Sequence, residues 1–253
     1  MNTTKRKPAW LVLIKRLILI VYGPIAFMFI ALAPIFCGRK PGFRNWYWRT
    51  ARKQIQLLLW FLDIRIDIDA ESLAKLSQND GGLIIANHKS NLDVLALVSV
   101  IPDDRWVTFG AKIELTKIPF FKGGFKGAGI LVVDRKDGKT ALQSLLDGYS
   151  RADPRVSLVL FPEGTRVDGP ALGKFKAGSV RIAQQLEKSI QPICIFGAYD
   201  LMPRRRVFPG TGTIQVRVLE SFQVRADVAV TDEMQRLQTY VTDRYETLQA
   251  VTQ

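Results

Sequence analysis

The sequence is short of the residues that most often carry metal and redox chemistry. It has one histidine, His88, and two cysteines, Cys37 and Cys194, among 253 residues. Two cysteines exclude a disulfide framework and an ordinary zinc ligand set. Both lie in apolar surroundings and read as small buried hydrophobes. Acidic residues are missing altogether from Met1 to Leu62, a stretch that carries eleven Lys or Arg. The rest holds 25 basic and 23 acidic residues, so the net charge of +13 belongs to the N-terminal quarter. There is no internal repeat and no low-complexity segment. With 47% hydrophobic and 23% charged residues, the chain can bury a sizeable core, which excludes a disordered protein.

A long uncharged run is present. Leu17–Cys37 has 21 residues without a charge, about the length that crosses a hydrocarbon core of ~30 Å. Lys5, Arg6, Lys7, Lys15 and Arg16 precede it, and Arg39, Lys40, Arg44, Arg49, Arg52 and Lys53 follow. Basic residues on both sides give no orientation by the positive-inside rule. Gly23-Pro24 and Pro34 are expected to kink or break a single helix. Trp46–Leu62 mixes aromatic, aliphatic and basic residues as an interfacial helix does. Residues 1–62 therefore read as two membrane-binding helices dipping into one leaflet. A cleaved signal peptide competes, since Ala31-Leu32-Ala33 resembles a cleavage site, but Pro34 would follow the cut and the apolar run is long.

From Ile64 the pattern changes to short apolar runs alternating with helical stretches. Ile64–Asp69, Leu83–Ala86, Trp106–Phe109, Ile130–Val133, Leu158–Phe161, Ile193–Phe196 and Ile214–Val218 read as strands. Asp93–Val100, Thr140–Tyr149 and Gly178–Leu186 read as helices, and Thr231-Asp232-Glu233 as the cap of a last helix reaching about Val251. This alternation predicts an α/β domain over residues 63–253, with a mixed, partly parallel sheet flanked by helices.

Two short segments directly after apolar strands carry the chemistry, at the place where such sheets collect functional groups. In Asn87–Asp93, Asp93 falls about one helical turn beyond His88, where a carboxylate can fix the imidazole tautomer and steady the imidazolium. His88 could then take a proton from a hydroxyl; the alternative is a histidine that merely starts a helix. In Phe161–Arg166, Gly164 permits close backbone approach and Arg166 offers a planar fork for phosphate oxygens. Glu163 could accept hydrogen bonds from an acceptor's hydroxyls or orient a nearby cation; the alternative is a turn with a surface Glu–Arg pair.

The His88–Asp93 spacing, His-x4-Asp, together with Phe-Pro-Glu-Gly-Thr-Arg at 161–166, resembles the glycerolipid acyltransferases, above all the 1-acyl-glycerol-3-phosphate (lysophosphatidate) acyltransferases of bacteria. Gly127–Arg135, Ile190–Ile193, Phe175–Gly178 and Ala111–Leu115 resemble further blocks of that family, in the same order, over roughly residues 60–220. Lys89, Asn91 and Leu131 depart from it. The resemblance implies that His88 is the general base and Asp93 its orienting partner. It implies that Glu163, Gly164, Thr165 and Arg166 hold the glycerol phosphate, with Lys112 and Arg135 adding positive charge, and that Pro192 shapes a strand. Ser90 is then a helix-start hydroxyl, not a nucleophile. The implied partners are a membrane bilayer, a lysophospholipid acceptor and acyl-CoA or acyl-carrier protein, with no cofactor, no metal and no nucleic acid. The implied location is a membrane, with the catalytic domain facing the cytoplasm. Two alternatives remain open: an acyltransferase for glycerol 3-phosphate or another lysophospholipid, and a thioesterase or lipid hydrolase using the same His and Asp. The basic pI and Arg204-Arg205-Arg206 also fit a nucleic-acid binder, but most of the excess charge flanks the apolar segment; the arginine run reads as a solvated loop, with a contact for lipid headgroups as the alternative.

Overall fold

The apolar runs after Ile64 form one seven-stranded sheet in a computed structural model that describes residues 9–37, 42–78, 82–134, 138–153 and 155–252. The strands are β1 (Ile64–Ile68), β2 (Leu83–Ala86), β3 (Trp106–Lys112), β4 (Leu131–Val133), β5 (Val156–Leu160), β6 (Ile190–Phe196) and β7 (Gly212–Val218). Their order is β1-β7-β6-β2-β5-β3-β4. Among the pairings of these seven strands, only β6–β7 is antiparallel. The five strands from β6 to β4 therefore point one way and end on one edge, as the sequence pattern predicts.

Strands β2 and β6 are buried at every residue, which is why they read as unbroken apolar runs rather than alternating ones. Ile84 and Ala86 of β2 face one core with Ala96 and Leu97, and Leu83 and Ile85 face the other with Val180, Ile182 and Leu237. Helices α4 (Leu92–Val100), α7 (Gly178–Leu186) and α9 (Val230–Thr252) thus cover the two faces. Pro192 stands in the middle of this sheet without a donor. Leu219 N donates to Pro192 O, and Gln191 Nε2 donates to Leu219 O, the carbonyl a Pro192 N–H would otherwise serve.

The N-terminal quarter forms α1 (Ala9–Cys37) and α2 (Phe43–Phe61). Of the kink or break expected at the prolines, the break does not occur: α1 runs through both Pro24 and Pro34. Each proline removes one backbone donor, and lateral packing on α2 and on α5 (Phe121–Ala128) holds the helix together across the gaps. The α1–α5 contact depends on glycine. A Cβ at Gly127 would lie 2.1 Å from Pro34 O, and one at Gly124 2.6 Å from Ala31 O. Within α1, Leu17–Phe36 is long and apolar enough to cross a membrane by length and composition, and only 12% of its most apolar window is buried in the protein.

Helix α2 buries Phe43, Tyr47, Ala51, Ile55 and Leu59, a stripe at four-residue spacing, while Trp46 and Trp60 stay exposed. Ile55 and Leu59 belong to the same core as β2, β6 and β7. Lys15, which reads in the sequence as a flanking charge, is buried. Its Nζ donates to Asp63 Oδ1 (2.6 Å) and Trp60 O (2.9 Å) and sits 3.9 Å from the centre of the Trp60 ring.

Other elements differ from expectation. Helix α3 (Ala70–Gln78), the 3₁₀ turn Ile113–Lys117, α5 and the short α8 (Ala198–Leu201) were not evident in the sequence pattern; α6 (Gly138–Ser150) was. Helix α9 begins at Val230, so Thr231 lies inside it rather than capping it. Ala229 O accepts from both Asp232 N and Glu233 N at its start.

Candidate active site

Strand β2 lies between β6 and β5 and ends at Ala86, and the chain reaches α4 within five residues. Asn87 fastens this turn to the sheet. Its Nδ2 donates to Ile195 O (2.9 Å), and Ile195 N donates to its Oδ1 (2.7 Å), so the side chain takes a further place in the β6 ladder. Asp93 follows in the first turn of α4, where the helix dipole favours a carboxylate. One oxygen of Asp93 does three things. Its Oδ2 lies 2.9 Å from His88 Nδ1 and accepts from Lys89 N and Ser90 N, each at 2.7 Å. Asp93 is fully buried, and its Oδ1 has no partner among the described residues.

With Asp93 ionised, the proton of a neutral His88 belongs on Nδ1, leaving Nε2 as a lone-pair acceptor. The His88 side chain is 18% exposed, and its ring stacks on Phe161 at 4.1 Å and 19°. Phe161 stacks in turn on Phe109 at 6.4 Å. His88 is therefore clamped on one ring face and at one nitrogen. That arrangement can hold an imidazole in place while its free nitrogen takes and returns a proton.

The Phe161–Arg166 segment follows β5, the strand beside β2, and is bonded to the histidine turn. Val167 N donates to His88 O (2.9 Å), and His88 N donates to Glu163 Oε2 (2.8 Å). Gly173 N donates to Glu163 Oε1 (3.1 Å), so both Glu163 oxygens meet backbone N–H groups and the side chain is buried. Burial raises the Glu163 carboxyl above the usual range, against the pull of those two hydrogen bonds and of Lys89. Gly164 has φ +73°, a left-handed backbone conformation that favours glycine at this turn. Thr165 is exposed and Arg166 partly exposed beside it.

Lys89 is also buried, with Nζ donating to Gly169 O (2.6 Å) and Ala171 O (2.7 Å). Burial lowers its pKa, opposed by Glu163 and Asp93. Ser90 is fully buried; its hydroxyl donates to Met202 O (2.7 Å) and accepts from Leu92 N (3.2 Å), a helix-start role. Lys112 ends β3 on the same sheet edge and is exposed. Arg135 lies outside the described residues, as does the side chain of Cys37. Cys194 is buried in β6, which pushes its thiol up to about 12. Asn87, Phe161 and Phe109 carry parts of this arrangement that the sequence did not single out. An Asn before the histidine is the one local signal for the first. A cavity of about 780 Å³ lies elsewhere, between α2, β1, α3 and the end of α4, and holds none of these groups. Among the described residues no three His, Cys, Asp or Glu side chains are placed to hold a metal ion.

Residues 67–196, about half of the chain, match the family model described as acyltransferase. The 1-acyl-sn-glycerol-3-phosphate acyltransferase of Helicobacter pylori is 30% identical over 154 residues, covering 60% of this chain and 64% of that one. The alpha form from Mus musculus is 31% identical over 210 residues, covering 78% and 68%. The chain thus spans just under two thirds of the length of the bacterial relative. The crystal structure of the 1-acyl-sn-glycerophosphate acyltransferase from Thermotoga maritima superposes with a TM-score of 0.74 over 94% of this chain and 98% of that one. At 21% identity, that is a likeness of fold.

Proposed function

Because the chain belongs to the acyltransferase family, we propose that it moves a fatty acyl group from a thioester to the free hydroxyl of 1-acyl-glycerol 3-phosphate, giving phosphatidic acid. The observation that carries this reading is His88 with Nδ1 held 2.9 Å from Asp93 and its side chain 18% exposed, beside the loop that carries Arg166. His88 Nε2 takes the proton of the acceptor hydroxyl as its oxygen attacks the thioester carbonyl. The new C–O bond gives a tetrahedral oxyanion. Its collapse breaks the C–S bond, and the imidazolium returns the proton to the departing thiolate. Asp93 keeps the proton on Nδ1 and offsets the charge that forms on the ring. General-base help of this kind is worth about 10²–10⁴-fold.

Arg166, Lys112 and Arg135 would hold the acceptor phosphate, with Gly164 and Thr165 shaping the turn beneath it. Fixing the phosphate sets the hydroxyl next to Nε2 and supplies proximity. Glu163 acts through the histidine main chain, as a positioning residue. The step needs no metal or redox cofactor. The donor is acyl-CoA or acyl-carrier protein. Helix α1, with its exposed apolar side chains, would keep residues 1–62 in the membrane that contains the acceptor, leaving residues 63–253 as the catalytic domain on the cytoplasmic side.

The test is transfer from labelled acyl-CoA, and from acyl-carrier protein, by the full chain in micelles. Lysophosphatidate, glycerol 3-phosphate, lysophosphatidylcholine and buffer are offered in parallel, with His88→Ala as control. Phosphatidic acid from lysophosphatidate, lost in the mutant, is the expected result. Free fatty acid without an acceptor would favour a hydrolase, and full turnover by His88→Ala would remove the histidine from the mechanism.

A further inference from the structure

Arg204-Arg205-Arg206-Val207-Phe208 has no part in acyl transfer as derived above. It forms the turn between α8 and β7, closed at its base by Arg206 N donating to Pro203 O and Gly210 N to Leu201 O. All five residues are exposed. Phe208, at 78%, is the most exposed large apolar side chain among the described residues, and Val207 stands at 76%. The three arginines make no ion pair among the described residues. Two adjacent apolar side chains held in water beside three guanidiniums match the chemistry of a headgroup–acyl boundary.

Its position fits the same partner. Strand β7 runs against β6, so the turn lies on the sheet edge where β2 ends at the histidine, and Met202 O accepts from Ser90 Oγ. At its other end Gly212 N donates to Asp63 O, and Asp63 receives Lys15 of α1. Ile14, Leu17 and Ile18, around that lysine, are exposed apolar residues of the membrane-length helix. The turn and the Lys15 end of α1 therefore meet at Asp63, on one edge of the sheet.

We infer that residues 204–208 are a second membrane contact, with Val207 and Phe208 entering the boundary of an anionic bilayer and Arg204, Arg205 and Arg206 engaging its phosphates. The inference rests on the membrane association proposed above but not on acyl transfer. Each arginine at such a surface contributes about fivefold to partition. The test uses the full chain with Cys37→Ser and Val207→Cys, labelled at residue 207 with an environment-sensitive fluorophore; buried Cys194 stays unlabelled. On vesicles of phosphatidylcholine and phosphatidylglycerol the emission should shift to the blue and be quenched by brominated acyl chains. Changing all three arginines to Gln should weaken binding to those vesicles about tenfold or more, leave binding to pure phosphatidylcholine unchanged, and keep the melting temperature. A label that stays open to aqueous iodide while the protein sediments with vesicles would overturn the inference. So would failure to sediment, which would also remove the anchor role of α1 while leaving micellar acyl transfer untouched. A label protected by duplex DNA instead of vesicles would replace the lipid partner with nucleic acid.

Discussion

Replacing Asp93 with Asn should slow acyl transfer by about 30- to 1000-fold while leaving the protein folded, and the range comes from the single oxygen that Asp93 turns toward the histidine. When His88 becomes an imidazolium, a carboxylate about 4 Å from the charge stabilises it by about 4 kcal/mol at an effective dielectric near 20. A proton half to fully transferred in the transition state uses about 2–4 kcal/mol of that, which is the predicted range in kcat. KM should change little, because the lost interaction forms only as the proton moves. The fold should tolerate the change. An Asn oxygen in the place of Oδ2 can still accept from Lys89 N and Ser90 N, and its amide nitrogen replaces Oδ1, which already lacks a partner. That exchange costs about 1–2 kcal/mol. Asp93→Ala, by contrast, strands three donors at about 1–3 kcal/mol each, comparable to the whole stability of a domain, and should not fold well. The assay is kcat and KM in micelles beside a thermal melt. A kcat equal to that of the wild type, in an Asn variant with an unchanged melting midpoint, would refute the role of Asp93.

Two buried carboxylates should give opposite pH slopes. Glu163 is raised by burial, so its contribution is present below the unfolded value of about 4.3 and is lost as pH rises through the raised value. Glu163→Gln should flatten that slope in urea midpoints measured from about pH 4 upward. Glu233 is held down to about 2, first by Arg236 and then by Arg225, so its stabilisation is present above about 4.3 and fades as pH falls toward 2. Because both arginines are partly exposed, Glu233→Gln should cost only about 1–2 kcal/mol at neutral pH, read as a lower melting midpoint that converges with the wild type in acid. Gly127→Ala should drive α1 off α5, costing about 1–3 kcal/mol and opening α1 to protease, whereas Gly23→Ala, whose Cβ meets nothing within 4 Å, should do neither.

The parts of the fold that were legible in the sequence are those where burial alone decides the pattern. Strand β2 and helix α7 fall where the apolar runs place them, and His88 and Asp93 meet as their spacing requires. Edges were less legible. Strand β6 begins at Ile190, three residues before the apolar run Ile193–Phe196 that reads as a strand, because the Gln191 side chain supplies the bond that Pro192 lacks. Helix α5 was hidden because Phe-Lys-Gly-Gly-Phe-Lys-Gly-Ala has loop composition. Its glycines are there for α1, a partner about ninety residues earlier in the chain. At the site, Glu163 looks like a ligand for substrate hydroxyls, but backbone N–H groups of His88 and Gly173 occupy both its oxygens. No local pattern announces bonds to residues 75 and 10 positions away.

The two-sidedness of α2 bears on how this protein could be handled without detergent. Its inward stripe of Ile55 and Leu59 is shared with the strands that carry the histidine, while Trp46 and Trp60 point outward from the same helix. A truncation that begins the chain after Leu62 would take away interior packing along with the greasy exterior, and would strip Asp63 of its lysine. The border between oil-loving and water-loving protein runs lengthwise along a helix and has no cut point in the chain. Solubility engineering should therefore repaint outward side chains such as Trp10, Ile20, Val21, Ile25, Trp46 and Trp60 with polar ones and leave the backbone whole.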